Sequence, residues 1–278
     1  MKIIAALDGL KLSTSTAQYA TEIAKKMNAH LVAIFLDDLS YNSYKVTDLV
    51  AKGDVSEKEI TRNLESDRAI RQHSVAVFED ICRAASINYS IHHDKNIASQ
   101  ELLHESIYAD LLIIGRHETL THFEEPVPTR FVRDILSGVQ CPVLLVPAEY
   151  RSIEKVIMLY DGAPPSVYAI KMLYCVLPVL TALPSEVITV KDIHTGNHVF
   201  DNRLIKEYVK RHTPHAMYTV LQGDAASEII DHVKMEHSST VLVLGGYQRG
   251  AVSRWFRPSM ADLLMRSTDM PLFVAHNK

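Results

Sequence analysis

The sequence predicts an α/β protein with two tandem, doubly wound open parallel sheets of about five strands each. Short apolar segments of strand length alternate with segments whose apolar residues recur every three to four positions, the pattern of strands joined by amphipathic helices. This alternation is typical of a parallel sheet covered by helices on both faces. The whole order of elements occurs twice, which predicts two domains of one type at residues 1–149 and 150–278.

Each half opens with a short apolar strand that ends in Asp-Gly, and a hydroxyl-rich helix start follows it. These copies are residues 2–7, Asp8, Gly9 and 13–16 in the first half, and residues 155–160, Asp161, Gly162 and Ser166 in the second. The next helix keeps one apolar face in both halves. That face comprises Ala17, Ala20, Ile23, Ala24 and Met27, and then Ile170, Leu173, Val176 and Leu177. A buried-type strand follows at 31–35 and 186–190, and a Pro-containing strand ends each half at 141–146 and 270–275.

The two halves differ mainly by an insertion in the first. The boundary between them falls near residues 148–152, in a linker of a few residues. The insertion is a polar, charged segment at residues 40–74, which we interpret as a flexible loop followed by an amphipathic helix that reaches Ala85. A solvated insertion is the simpler interpretation, and a lid or partner-binding surface is the alternative.

Composition narrows the class of protein. The chain has 278 residues, of which 47% are hydrophobic and 22% charged, an ordinary globular balance. A formal charge of -4 argues against nucleic-acid binding, and no apolar run approaches the roughly 20 residues of a membrane span. Without a signal-peptide pattern, and with three dispersed cysteines, the sequence predicts a cytoplasmic protein. We expect Cys82, Cys141 and Cys175 to be buried as small apolar residues.

Both halves contain the same loop frame. It runs Gly115-x-x-Glu118, nine residues, Pro128-Thr129 in the first half, and Gly245-x-x-Gln248, nine residues, Pro258-Ser259 in the second. This frame resembles the nucleotide loop of universal stress proteins, which has Gly-x-x-Gly, nine residues and Gly-Ser/Thr. Residues 108–115 and 222–230 also resemble segments of that family, and the resemblance covers nearly the whole chain twice.

The resemblance implies a Rossmann-like domain of the adenine nucleotide alpha hydrolase type and a site for ATP or another adenine nucleotide. It also implies that the last strand of each half pairs at a dimer edge. In a tandem chain the two halves can make that pairing internally as a pseudo-dimer. A further homodimer and a protein partner are open alternatives.

The expected site lies where the Asp-Gly turn and the Gly-x-x loop meet, beyond the carboxyl ends of the strands. An Asp there can accept hydrogen bonds from a ligand, glycines let backbone N–H groups approach phosphate, and a helix start adds a hydroxyl. We favour the second half, because the first has Glu118, Glu124 and Glu125 over the same stretch. The candidates are Asp161, Gly162, Gly245, Gly246, Arg249, Gly250 and Ser259 in the second half and, more weakly, Asp8, Gly9, Gly115 and Thr129 in the first.

Three functions remain open at this stage, because the loops depart from the family frame. The favoured one is a non-enzymatic stress-response protein that binds a small ligand or a protein partner. The alternatives are a nucleotide-binding switch with weak ATP hydrolysis in the second half, and a ligand-free scaffold. A binding protein predicts a polar crevice between Asp161, Gly245 and Ser259. A scaffold predicts that Gln248, Trp255 or Phe256 fills that crevice, and that both loops are plain strand-to-helix connections.

Catalytic and metal sites receive little support from the sequence. No nucleophile elbow, P-loop or dinucleotide fingerprint occurs. The chain has 14 histidines, but none has zinc-signature spacing, so we predict no metal site. A zinc site from His92, His93 and His117 is the residual hypothesis.

Overall fold

The computed structural model describes residues 1–36, 57–94, 98–121, 123–192, 198–246 and 259–276. The chain divides into two compact units, Met1–Gln140 and Cys141–Lys278. Each unit is an α/β structure in which helices alternate with strands, so the predicted fold class is confirmed.

The described residues of the N-terminal unit form four strands in the order β3-β2-β1-β4, and the pairs among these strands are parallel. Its elements, within the part of the chain that the structure describes, are β1 (Lys2–Asp8), α1 (Thr14–Met27), β2 (His30–Leu36), α2 (Glu57–Ala85), β3 (Tyr89–Asp94), α3 (Ala98–Ser106), β4 (Leu111–Gly115) and α4 (Arg130–Gly138).

In the part of the C-terminal unit that the structure describes, six strands lie in the order β5-β10-β9-β6-β7-β8. Its described elements are β5 (Val143–Val146), β6 (Lys155–Leu159), α5 (Pro164–Val176), a 3₁₀ helix (Pro178–Ala182), β7 (Ser185–Lys191), α6 (Asn202–His212), β8 (Met217–Gln222), α7 (Ala225–Lys234), β9 (Thr240–Gly245), α8 (Met260–Ser267) and β10 (Leu272–Ala275).

Strand β5 belongs to the first repeat in the sequence but to the C-terminal unit in the structure. It pairs antiparallel with β10, with Leu145 opposite Leu272, whereas the other pairs of this unit are parallel. Both strands are buried along their whole length. The pairing explains why the compact unit begins at Cys141, before the predicted linker at 148–152.

The helix that follows β1 begins and ends where its sequence dictates. Ser13 is the N-cap of α1, and its side chain accepts a hydrogen bond from the Thr16 backbone N at 3.2 Å, which confirms the predicted hydroxyl-rich start. Asn28 ends the helix in the left-handed conformation at φ 48°, which Asn tolerates better than most residues. The apolar face between these caps packs on the sheet, with Ala17 and Ala20 fully buried.

The predicted amphipathic helix of the insertion is α2, and it ends at Ala85 as expected. The predicted loop at residues 40–56 lies outside the described residues. Phe78 anchors the second half of α2 on the sheet, since its ring meets Phe35 and Tyr89 edge-to-face at 6.0 and 6.1 Å between centroids. Ser74 donates a hydrogen bond to the Gly9 carbonyl oxygen at 2.8 Å, so α2 also supports the turn after β1.

One cysteine contradicts the expectation that all three are buried. Cys82 and Cys141 are buried, but Cys175 is exposed. Cys175 is exposed because Leu173 and Leu177 of the same segment face the core, which leaves Cys175 on the opposite face of the helix. Among the described residues, no helix is both long and apolar enough to cross a membrane.

Gly245, at the end of β9, lies against the first turn of α5. A Cβ atom at this position would be 2.5 Å from the carbonyl carbon of Pro165 and 2.7 Å from the backbone N of Ser166. In the N-terminal unit, a Cβ at Gly115 would instead meet a side-chain atom, Thr16 Oγ1, at 3.2 Å. Gly245 is therefore required for close packing of backbone on backbone, and Gly115 is not.

We expect Gly245→Ala to reduce the free energy of unfolding by about 1–3 kcal/mol, because the added methyl forces the backbone of α5 to shift. The matched variant Gly115→Ala should cost clearly less, because the Thr16 hydroxyl can rotate away. Urea unfolding of both variants measures the difference. Equal losses would show that the two glycines have the same packing role.

Candidate functional site

Each unit has one place where the strand order reverses. β1 lies between β2 and β4, and β6 lies between β7 and β9. In a parallel sheet the crevice for a ligand forms at the carboxyl ends of strands at such a reversal. Asp8 and Gly115 end β1 and β4, while Asp161 and Gly245 lie at the ends of β6 and β9. The topology thus brings each predicted Asp to the same sheet edge as its loop glycine.

In the N-terminal unit, Asp8 holds the turn that follows it. Its side chain is buried and accepts hydrogen bonds from the backbone N of Leu10 at 2.7 Å and of Lys11 at 3.2 Å. Such a side-chain-to-backbone turn is what an Asp-Gly dipeptide favours. The Asp8 carboxylate is therefore occupied by hydrogen bonds within its own turn. The carbonyl oxygen of Gly9, in the same turn, accepts the hydrogen bond from Ser74 of α2.

Glu118 brings a second carboxylate close to Asp8. Its Oε1 accepts hydrogen bonds from the backbone N of Thr119 at 3.1 Å and of Leu120 at 3.3 Å. Burial, and then the nearby negative charge of Asp8, raise the pKa of Glu118 to about 7. Two carboxylates at the mouth of the N-terminal crevice disfavour a phosphate group there.

Thr129 is also occupied by local structure. Its hydroxyl accepts a hydrogen bond from the Val132 backbone N at 3.2 Å as the N-cap of α4, and it donates one to the carbonyl oxygen of Glu118. Because Thr129 is the cap, Pro128 lies just before the helix.

The C-terminal unit has a different arrangement around Asp161. This residue is exposed, and its Oδ1 accepts hydrogen bonds from the Ala163 backbone N at 2.9 Å and from Ser166 Oγ at 2.7 Å. Gly162 has φ +82°, and a Cβ there would lie 2.8 Å from Phe200 Cβ, so the turn needs glycine for both reasons.

A pocket of about 210 Å³ lies beside Asp161 at the carboxyl ends of β6, β7 and β9. Its walls are mainly apolar, and the polar groups at its surface come from Asp161, Ser166 and Tyr160. The predicted crevice was polar, so the observed pocket differs in chemistry. The remaining lining residues are Leu159, Pro165, Ile188, Val190, Ala225, Ile229, Leu244, Gly245 and Met260.

The other predicted residues of this half lie beside the pocket or outside the described chain. Ser259 is the N-cap of α8 and accepts a hydrogen bond from the Asp262 backbone N at 3.1 Å, while the next residue, Met260, lines the pocket. Gly246 has a packing role, since a Cβ there would be 2.8 Å from Val274 Cγ1. Those outside the described residues are Arg249, Gly250, Gln248, Trp255, Phe256 and Pro258.

The residual zinc hypothesis in the N-terminal unit finds no support in the described side chains. His92 Nδ1 lies 2.7 Å from Glu105 Oε1, and His117 Nε2 accepts a hydrogen bond from Arg116 Nε at 3.2 Å, so the two imidazoles have separate partners. The side chain of His93 is outside the description. Across the described residues, the group that could hold a metal is instead Glu186, His232 and Glu236 in the C-terminal unit.

The apolar walls of the pocket were not predicted from the sequence. Ala225 and Ile229 belong to α7, and this helix starts within residues 222–230, a segment already recognised by resemblance. Tyr160 directly precedes Asp161, and Ile188 lies on β7. The available signal was position, because residues at the carboxyl ends of central strands line such crevices.

The raised pKa of Glu118 predicts a pH-dependent stability. The folded protein holds this proton up to about pH 7, while the ordinary pKa is 4.5. The resulting stabilisation is complete below the ordinary pKa and is lost as the pH rises through about 7. We therefore expect Glu118→Gln to flatten the decrease in Tm between pH 5 and pH 8, and to be more stable than wild type at pH 8. Glu124→Gln, an exposed residue of the same loop, should behave like wild type. Parallel Tm profiles for Glu118→Gln and wild type would contradict the assignment.

Comparisons with known proteins agree with this architecture. The model of the Universal stress protein family matches residues 1–147. Universal stress protein Slr1230 from Synechocystis is 20% identical over 287 aligned positions, which cover 97% of this chain and 98% of the relative.

Two solved structures show the same fold over nearly the full length. A universal stress protein from Archaeoglobus fulgidus superposes with a TM-score of 0.72 at 14% identity, covering 99% of this chain and 98% of that one. A putative universal stress protein from Pseudomonas aeruginosa gives 0.57 at 15% identity, covering 99% and 92%. Because the family model spans more than half of the sequence, this chain belongs to the universal stress protein family.

Proposed function

We propose that this protein acts in a stress response by binding a small ligand in the pocket of the C-terminal unit, without catalysing a reaction. The observation that supports this proposal is the pocket of about 210 Å³ beside Asp161, at the reversal of strand order. Pockets at such reversals are the usual ligand sites of doubly wound sheets.

The pocket chemistry favours a ligand with a flat, apolar part and a hydrogen-bond donor at its edge. Ile188, Val190 and Leu244 supply apolar walls. The hydrogen bonds to Asp161 from the described residues end on Oδ1, which leaves Oδ2 to accept from a ligand. The volume is below the about 300–1,000 Å³ of pockets for drug-sized molecules, so it suits a single heterocycle such as a nucleobase. An adenine nucleotide is the first ligand to test, as the resemblance to the family implies.

The two units are proposed to differ in function. In the N-terminal unit, Asp8 bonds to its own turn and Glu118 adds a second carboxylate near it. In the C-terminal unit, Asp161 is exposed beside an apolar cavity. This contrast supports ligand binding in the second unit alone.

The expectations of a cytoplasmic location, an internal pseudo-dimer, a homodimer and a protein partner stay predictions. The antiparallel pairing of β5 with β10 supports the pseudo-dimer hypothesis, because the two strands come from different sequence repeats. The weak ATPase also stays an alternative, in which the same pocket holds the base of a nucleotide that is slowly hydrolysed.

The first experiment is to denature freshly purified full chain and identify released small molecules by mass spectrometry. ATP is then titrated into the ligand-free protein while its Tm is followed. We expect a saturable increase in Tm for wild type. Asp161→Asn should lower the apparent affinity about tenfold, since it removes the charge at the pocket and keeps the shape. The repeat-related variant Asp8→Asn should bind like wild type. No released molecule and no increase in Tm would contradict binding of an adenine nucleotide.

A second variant tests the location without touching a polar group. Ala225 is an exposed lining residue, so Ala225→Leu should fill part of the pocket and weaken ATP binding while leaving the Tm of the free protein nearly unchanged. Phosphate release measured on the same samples separates the two functions. Turnover that disappears in Ala225→Leu would support the switch, and binding without turnover would support the proposed ligand-binding role.

A further inference from the structure

A second cluster of functional groups lies in the C-terminal unit, at the amino-terminal ends of the strands. Glu186 is near the start of β7, and His232 and Glu236 lie at the end of α7 and just after it. One ligand atom from each of these side chains lies within 4.8 Å of the other two. The pocket is at the carboxyl ends of the strands, so this cluster is separate from it.

Glu186 is an unusual residue for this position because it is buried in the sheet. Only 3% of its surface is exposed. Its carboxylate accepts a hydrogen bond from Thr219 Oγ1 at 2.5 Å and forms an ion pair with Lys155 Nζ at 3.0 Å. Burial by itself would raise the pKa of Glu186, but these bonds outweigh burial and hold the pKa below its ordinary value. Glu186 is thus a buried carboxylate that already attracts a cation, the ammonium of Lys155.

The first repeat shows that the fold does not need a carboxylate here. Glu186 is paired with Ile157 in the register of β6 and β7. The corresponding pair of the N-terminal unit is Ile4 and Val32, and Val32 is a buried apolar residue. The ionised side chain in the second repeat therefore calls for an explanation other than packing.

His232 supplies the second independent observation. Its Nε2 atom is buried and has no hydrogen-bond partner, although it lies 3.3 Å from Glu186 Oε1. The contact does not meet hydrogen-bond geometry, and a buried nitrogen that makes no hydrogen bond is costly. Coordination of a cation between the imidazole and the carboxylate removes that cost.

Lys155 occupies the centre of the cluster. Its Nζ lies 3.0 Å from Glu186 and 2.7 Å from Glu236, so the ammonium occupies the position between the carboxylates that a bound metal ion would take. The two carboxylates and the ammonium together carry one net negative charge. The side chain of Lys155 is 26% exposed, so the ammonium has a path to solvent.

We propose that Glu186, His232 and Glu236 form a binding site for Zn²⁺, in which the metal displaces the ammonium of Lys155. One imidazole nitrogen and two carboxylate oxygens are ligands that Zn²⁺ accepts, with water completing the coordination. Mg²⁺ and Ca²⁺ prefer six or more oxygen ligands and fit this set poorly. Thr219 orients Glu186 from outside the ligand set.

The test is a Zn²⁺ titration of the full chain, purified without an affinity tag, in competition with a chromophoric chelator. We expect one Zn²⁺ per chain in wild type. Lys155→Met should bind it about tenfold more tightly, because the competing ammonium is gone. His232→Gln should abolish this binding in both backgrounds, whereas His237→Gln, an exposed histidine nearby, should leave it unchanged.

If Lys155→Met does not fold, two measurements on variants that retain Lys155 still test the proposal. Zn²⁺ should raise the Tm of wild type and of His237→Gln but not of His232→Gln, and Co²⁺ should give a visible absorption band that only His232→Gln loses. Binding that survives His232→Gln, or that is equally strong for Mg²⁺, would overturn the proposal. So would the lack of any Zn²⁺ binding to wild type.

Discussion

The position of β1 and β6 inside their sheets determines where a crevice can open at the carboxyl ends of the strands. Each of these strands has a parallel neighbour on both sides. The strand order reverses at each of them, because the chain continues to one neighbour and reaches the other neighbour later. A crevice therefore opens beyond the carboxyl end of each strand, and the residue that follows the strand faces that crevice. Asp8 and Asp161 occupy this position, and Gly115 and Gly245 lie across from them. The close approach of α5 to Gly245 then shapes one wall of the pocket.

The same framework supports two different environments because a few side chains differ between the repeats. In the N-terminal unit, Glu118 turns back on its own loop and lies near Asp8, so two acidic groups lie together at the crevice. In the C-terminal unit, Ser166 bonds to Asp161 and the neighbouring walls are apolar. Duplication preserved the backbone geometry, while the electrostatics diverged. This divergence is the physical basis for the proposal that one unit binds a ligand.

Local features of the fold were predictable from the residues themselves, whereas the expected pairing of the last strands of the two halves came from the family resemblance. The cap at Ser13 and the end of α2 at Ala85 follow from neighbouring residues, and the structure confirms both. The pairing of β5 with β10 depends on strands far apart in the chain, and periodicity holds no information about it. For the same reason the pocket walls from Ala225 and Met260 were missed, since they come from separate helices. The position of Thr129 as a cap shows a third limit, because a hydroxyl at a helix start has the same sequence pattern whether it binds backbone or phosphate.

The charged cluster at the amino-terminal edge of the second sheet is best understood by comparison with the first. Lys2 Nζ, at the start of β1, lies 2.8 Å from Glu105 Oε2, and His92 contacts the other oxygen of the same carboxylate. A single carboxylate therefore pairs with both side chains. Lys155, at the start of β6, faces two acids, one of them nearly excluded from water. Burying an ion pair costs desolvation energy that the pairing does not always repay, and apolar replacements are often as stable. Val32 is such an apolar residue at the equivalent register. Packing alone therefore does not require a carboxylate at Glu186, and this agrees with the proposed cation site.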